Sequence, residues 1–168
     1  MEARQSVTEE VLAGMLRISQ GNLHDIDHLL KVWAYARAIG RLEGLDETTQ
    51  TTLEVAALVH DIACPLCREK YGNTAGVHQQ TEGGPMAEAF LAPFILPQDV
   101  KDRVRWLVEH HHTFRDIQGL DYQILVEADY LVNAGESGYG RESIRTFRDK
   151  IFRTESGKAL LNAVFPDP

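Results

Sequence analysis

The chain is poor in cysteine, in positive charge and in long apolar runs, and each shortage narrows what it can be. Two cysteines in 168 residues cannot build a disulfide framework. No apolar run approaches the roughly 20 residues that a membrane span requires. Nor does the sequence open on a charged-then-apolar leader, so the expected setting is a reducing cytoplasm. Lys and Arg number 17 against 25 Asp and Glu, a formal charge of −8 that disfavours broad contact with a nucleic-acid polymer or an anionic membrane. What the chain does have is 43% hydrophobic and 25% charged residues, the balance of a folded protein rather than a disordered one. At this length one domain over 1–168 is expected.

Little of the sequence alternates with strand period, and most of it repeats every three or four residues. Leu29, Val32, Trp33, Ala36 and Ile39 mark one face of a helix from Asp25 towards Gly40, closed by Gly40 or Gly44. Asp46 reads as the start of a second helix, whose apolar positions Leu53, Ala56, Ala57 and Val59 run to His60 and Asp61, with Pro65 as a stop. The stretch from Cys64 to Pro85, carrying Gly72, Gly76, Gly83 and Gly84, reads as a long loop or a lid with a short helical turn. Helical patterns resume over Met86–Leu91, from Gln98 or Asp99 to His111, and over Tyr122–Val132, Glu142–Phe152 and Lys158–Val164. The reading is all-α: a single helical bundle without repeat or linker. The apolar C-terminal positions, Ile144, Phe147, Ile151, Leu160 and Leu161 among them, would pack on their own domain or against a second copy in a homo-oligomer.

Seven histidines carry the main chemical signal, because they fall at predicted helix ends or in the stretch between them. His60-Asp61 closes an apolar helix, where an imidazole and a carboxylate are costly unless satisfied, either by ordinary capping bonds or by a divalent cation. His28 shares the stripe of Leu29, Val32 and Ala36, and Asp129 is in register with Leu125 and Val132, so both point inward. Three helices each sending a His or Asp inward are better explained by a common metal centre than by separate burial accidents.

The order His28, His60-Asp61, Asp129, set in Asp-His-Leu-Leu-Lys-Val, Ala-Leu-Val-His-Asp-Ile and Glu-Ala-Asp-Tyr-Leu, resembles the HD-domain superfamily of metal-dependent phosphohydrolases over about residues 24–135. The resemblance implies metal ligation by His28, His60, Asp61 and Asp129. It also implies a cation three residues after the first His, often Arg in the family and Lys31 here. Two-metal members carry extra His residues before the last Asp, and His78, with Glu82 as a substitute, and His110 or His111 would fill those places. Extending the stripe Val104, Leu107, Val108 at about 100° per residue puts His110 and His111 at its edges and turns His112 away. A surface His cluster is the plain alternative. Cys64-Pro-Leu-Cys67 lacks a second pair and reads as two free thiols.

A divalent metal held by such ligands, whether Mn, Fe, Co, Ni, Mg or Zn, one ion or two, lowers the pKa of water and polarises a phosphate. Asp61 would orient that water, as the resemblance implies. Lys31, Arg68, Lys70 and Arg115 are the candidate partners for phosphate oxygens, with Lys31 and Arg68 foremost, although cations of this kind are more often plain surface groups. The expected substrate is a small phosphorylated metabolite, a nucleotide foremost. Two alternatives share the scaffold: a di-iron oxygenase and a non-catalytic ligand-binding module.

Overall fold

A computed structural model describes residues 6–166. Among these residues there are nine helices and no strand: α1 (Val7–Ile18), α2 (Leu23–Leu42), α3 (Glu47–Val59), α4 (Cys64–Tyr71), α5 (Gly76–Leu91), α6 (Gln98–His110), α7 (Leu120–Glu136), α8 (Arg141–Ile151) and α9 (Glu155–Val164). The all-α expectation holds. No described helix is long and apolar enough to cross a membrane.

Helices α3 and α7 form the centre, with buried apolar residues such as Val55, Leu58, Ile124 and Leu125 beside buried polar ones such as Glu54, Gln123 and Glu127. Every residue of α3 from Thr52 to Val59 is buried, and so is every residue of α7 from Asp121 to Asp129. Helix α2 packs across both, and α6 lies against α3 with α5 on its other flank. Local chemistry sets the ends. Asp46 Oδ1 accepts from Thr48 N and Thr49 N at 3.0 Å each, an N-cap worth about 1 kcal/mol. Of the two glycines proposed to end α2, Gly44 takes the left-handed conformation at φ 74° just past Leu42.

The segment expected as a loop or lid from Cys64 to Pro85 is instead two helices, and the same residues explain why. Pro65 sits in the first turn of α4, where a missing N–H costs nothing, and Gly72 at φ 71° ends that helix. Gly83 and Gly84 lie inside α5 as contact residues. A Cβ on Gly83 would come within 2.7 Å of Val108 Cγ1, and one on Gly84 would overlap the Glu109 side chain. These glycines let α5 lie close on α6. A smaller second cluster, Leu131, Ala134, Ile144, Phe152 and Leu161, ties α8 and α9 to the far end of α7.

Candidate metal centre

Side chains from three helices meet where the chain leaves α3. His28 from α2 and His60 from the end of α3 are buried, Asp129 from α7 is buried, and Asp61 is partly exposed. His28 Nε2 lies 3.2 Å from Asp129 Oδ1, 3.3 Å from His60 Nε2 and 3.4 Å from Asp61 Oδ2. His60 Nε2 lies 3.4 Å from Asp129 Oδ1 and 3.6 Å from Asp61 Oδ1. Donors about 2.1 Å from one ion are separated by roughly 3.0 Å in octahedral and 3.4 Å in tetrahedral coordination. The spacings among His28, His60 and Asp61 therefore suit a single cation, with Asp129 Oδ1 in the same range of both imidazoles. On the other side of Asp61, His111 Nε2 approaches Oδ1 at 3.5 Å, and Asp61, His111 and His112 each offer an atom within 4.8 Å of the others.

The imidazoles are fixed from behind. Nδ1–H of His28 donates to Glu136 Oε2 at 2.8 Å, that of His60 to Ala57 O at 2.8 Å, and that of His111 to Val108 O at 2.9 Å. A carbonyl or carboxylate only accepts, so it holds a proton on Nδ1 and leaves Nε2 facing inward, with a free lone pair once the ring is neutral. The buried Nε2 atoms of His111 and His112 have no hydrogen-bond partner. Unsatisfied buried acceptors aimed at carboxylates are what a cation would satisfy.

The charges are mutually dependent. Burial opposes protonation of His28, but Asp129, Asp61 and Glu136 overcome it and raise the imidazole to about 9. Burial also opposes ionisation of Asp61 and Asp129, yet the surrounding imidazoles hold both carboxyls well below the usual carboxylate range. Burial, reinforced by neighbouring His111, lowers His112 to about 4. A divalent ion would replace protons in this cluster.

The other expected residues lie elsewhere. His78 stacks on Tyr71 at 3.9 Å, and its proposed substitute Glu82 is taken by Lys70 and Tyr71. His110 stacks on Trp106 at 4.0 Å and donates from Nδ1 to Trp106 O at 2.7 Å, so His112 takes the inward place given to it. The angular extrapolation fails because α6 stops at His110 and the chain turns, with Thr113 N donating to His110 O at 2.7 Å. Gly76 makes room for the ring: a Cβ there would come within 2.9 Å of His112 Cγ. Lys31 Nζ donates to Glu136 Oε1 at 3.2 Å and so reaches the centre only through that carboxylate. Arg68 does line the cavity, held by both oxygens of Asp25. Both cysteines are buried free thiols.

The sequence pattern of the HD domain family matches residues 25–134. This chain belongs to the HD domain family. The HD fold extends over nearly all of it: a crystal structure described as a predicted HD superfamily hydrolase, from an uncultured Thermotogales bacterium, is similar with a TM-score of 0.67. That likeness covers 94% of this chain and 84% of the other at 23% identity. No curated protein matches the sequence. Within the HD frame, Glu136 and Asn133 are the supporting residues that sequence reasoning missed. Asn133 Nδ2 donates to Asp129 Oδ1 at 2.8 Å, and both residues follow Asp129 on one helical face, at i+4 and i+7.

Proposed function

We propose that this HD protein is a metal-dependent phosphohydrolase acting on a small phosphorylated metabolite, a nucleotide in the first instance. In this reading His28, His60, Asp61 and Asp129 hold one divalent ion, with Asp61, His111 and His112 as the donors for a second. The observation that carries it is the inward Nε2 array, three imidazoles each locked from behind and facing two ionised carboxylates. The name of the Thermotogales neighbour points the same way.

Nitrogen and carboxylate donors suit several ions. A divalent ion bound there supplies positive charge that polarises a phosphate and lowers the pKa of water towards neutrality. Asp61 lies between the two donor groups, 3.4 Å from His28 and 3.5 Å from His111, and is placed to orient the attacking water. The water oxygen bonds to phosphorus, the P–O ester bond breaks, and the departing alkoxide takes up the proton that the water gives up. Arg68, kept at the cavity wall by Asp25, is the cation placed to meet phosphate oxygens. Glu136 and Lys31 act behind His28, holding its ring in register. With no spanning helix described and two free thiols, the proposed setting is the cytoplasm.

The test is an assay, run anaerobically and repeated with oxygen, of metal-stripped protein resupplied with Mn, Fe, Co, Ni, Mg or Zn against phosphomonoesters, diesters and nucleotides. At least one ion should give phosphate release, and Asp61→Ala should reduce it by at least about 10³-fold. Silence with every ion and ester overturns the reading in favour of a binding module. Turnover that requires both iron and oxygen overturns it in favour of the oxygenase.

A further inference from the structure

The cavity that contains the centre, about 570 Å³, adjoins a second of about 650 Å³ along α8. The first is of a size that takes a small organic ligand, and the second is an open groove lined largely by exposed residues. The side chains common to both are Phe114, Tyr130, Tyr139 and Phe147, all aromatic. Tyr130 follows Asp129 directly in α7, which joins this wall to the metal donors by one peptide unit.

The wall has a fixed inner layer and an open outer one. Tyr130 and Phe147 stack in parallel with centroids 3.7 Å apart and 3° between planes. Phe114 meets Phe147 edge-on at 5.2 Å, and Tyr139 lies 5.7 Å from Tyr130. Phe114 and Tyr139 nonetheless remain 44% and 43% exposed, so both side chains are open to a further aromatic contact. The charges separate the two cavities as well. The first is lined by Asp25, Asp61, Asp129, Glu136 and Arg68, whereas the only charged residues lining the second are Glu142 and Lys150, of opposite sign. The carboxylates of the first would draw a phosphate only by way of a divalent ion held on them, and nothing in the second calls for an ion.

We infer that the second cavity is a subsite for a flat, uncharged ring carried by the alcohol half of the phosphoester, received against the exposed Phe114 and Tyr139 side chains while the phosphate lies at the metal donors. The inference rests on the phosphohydrolase reading for its substrate but predicts binding that needs no metal and no turnover. Thr146 lines only the second cavity, on the exposed side of α8, so a larger side chain there fills the subsite without reaching the centre.

The test uses 2-naphthol, a ring without phosphate, titrated calorimetrically into the full chain. Thr146→Trp and Tyr139→Ala, each checked for an unchanged circular dichroism melt, should weaken it about tenfold. In the metal-loaded protein, the ratio of kcat/KM for 1-naphthyl phosphate over glycerol 3-phosphate should exceed ten and fall by a similar factor in both variants. Adenosine 5′-monophosphate as a further arm distinguishes a nucleobase from other rings. Absent naphthol binding overturns the subsite, including the case in which a second copy of the chain covers the groove. Equal affinity of parent and variants, or a selectivity ratio near one, overturns it too. Naphthol binding with no ester cleaved upholds the subsite and overturns the phosphohydrolase reading.

Discussion

Two buried carboxylates stand two residues apart on α7 and do opposite things. Glu127 is fully buried and saturated by neutral donors: Gln123 Nε2 at 2.7 Å, Arg153 N at 2.7 Å, Thr154 N at 3.0 Å and the Thr154 hydroxyl. It pins the α8–α9 junction and leaves no room for a ligand. Asp129 instead faces two imidazoles at 3.2 and 3.4 Å. Burial alone therefore does not mark a functional acid. What separates the two is whether the partners are fixed donors or groups that must give up protons to a cation.

Removing each carboxylate should break the pair apart. Asp129→Ala should lower metal-dependent turnover by at least about 10³-fold and abolish the rise in melting temperature that saturating metal produces, a rise worth about 2.7 kcal/mol at a hundredfold excess over Kd. Glu127→Ala should instead destabilise the metal-free protein by about 3 kcal/mol, because several buried donors lose their acceptor, and lower its melting temperature by roughly 6–12 °C. A urea titration of both variants checks the contrast, and equal losses of stability would erase it.

Protons sharpen the same contrast. In the metal-free protein His28 is raised to about 9 from an ordinary value of 6.5, so its contribution to stability is complete below 6.5 and is lost as pH rises towards 9. A metal ion has to displace that proton. Its affinity should rise by up to about tenfold per pH unit as pH approaches 9, with protons released on binding, measurable by calorimetry in buffers of different ionisation enthalpy. The smallest effect is expected far from both acids: Asp46→Ala should cost about 1 kcal/mol of stability and leave metal affinity unchanged.

Apolar periodicity made α2, α3, α6, α7, α8 and α9 legible in the sequence, and inward register brought His28 and Asp129 to His60 and Asp61, as the structure places them. Helix α1 carries the same kind of signal in Val11 and Met15 but no chemistry to draw attention to it. Helix α4 and the first part of α5, before Met86–Leu91, stayed hidden because Pro65, Gly83 and Gly84 signal breaks locally, while their role is set by the helix they touch. His112 was misplaced because a rotation of about 100° per residue applies only inside a helix. The contact of Glu136 with His28 spans 108 positions, and no local pattern announces a pairing so distant.

The close crossing of α5 and α6 has a chemical reach beyond packing. The side chain that a methyl on Gly83 would strike belongs to Val108, and the carbonyl of that residue anchors the His111 ring. A single added carbon, on a helix that contributes no imidazole to the centre, would thus press on the strut that aims a nitrogen at it. The missing atom on Gly83 is as much a tolerance of the centre as any bond length within it.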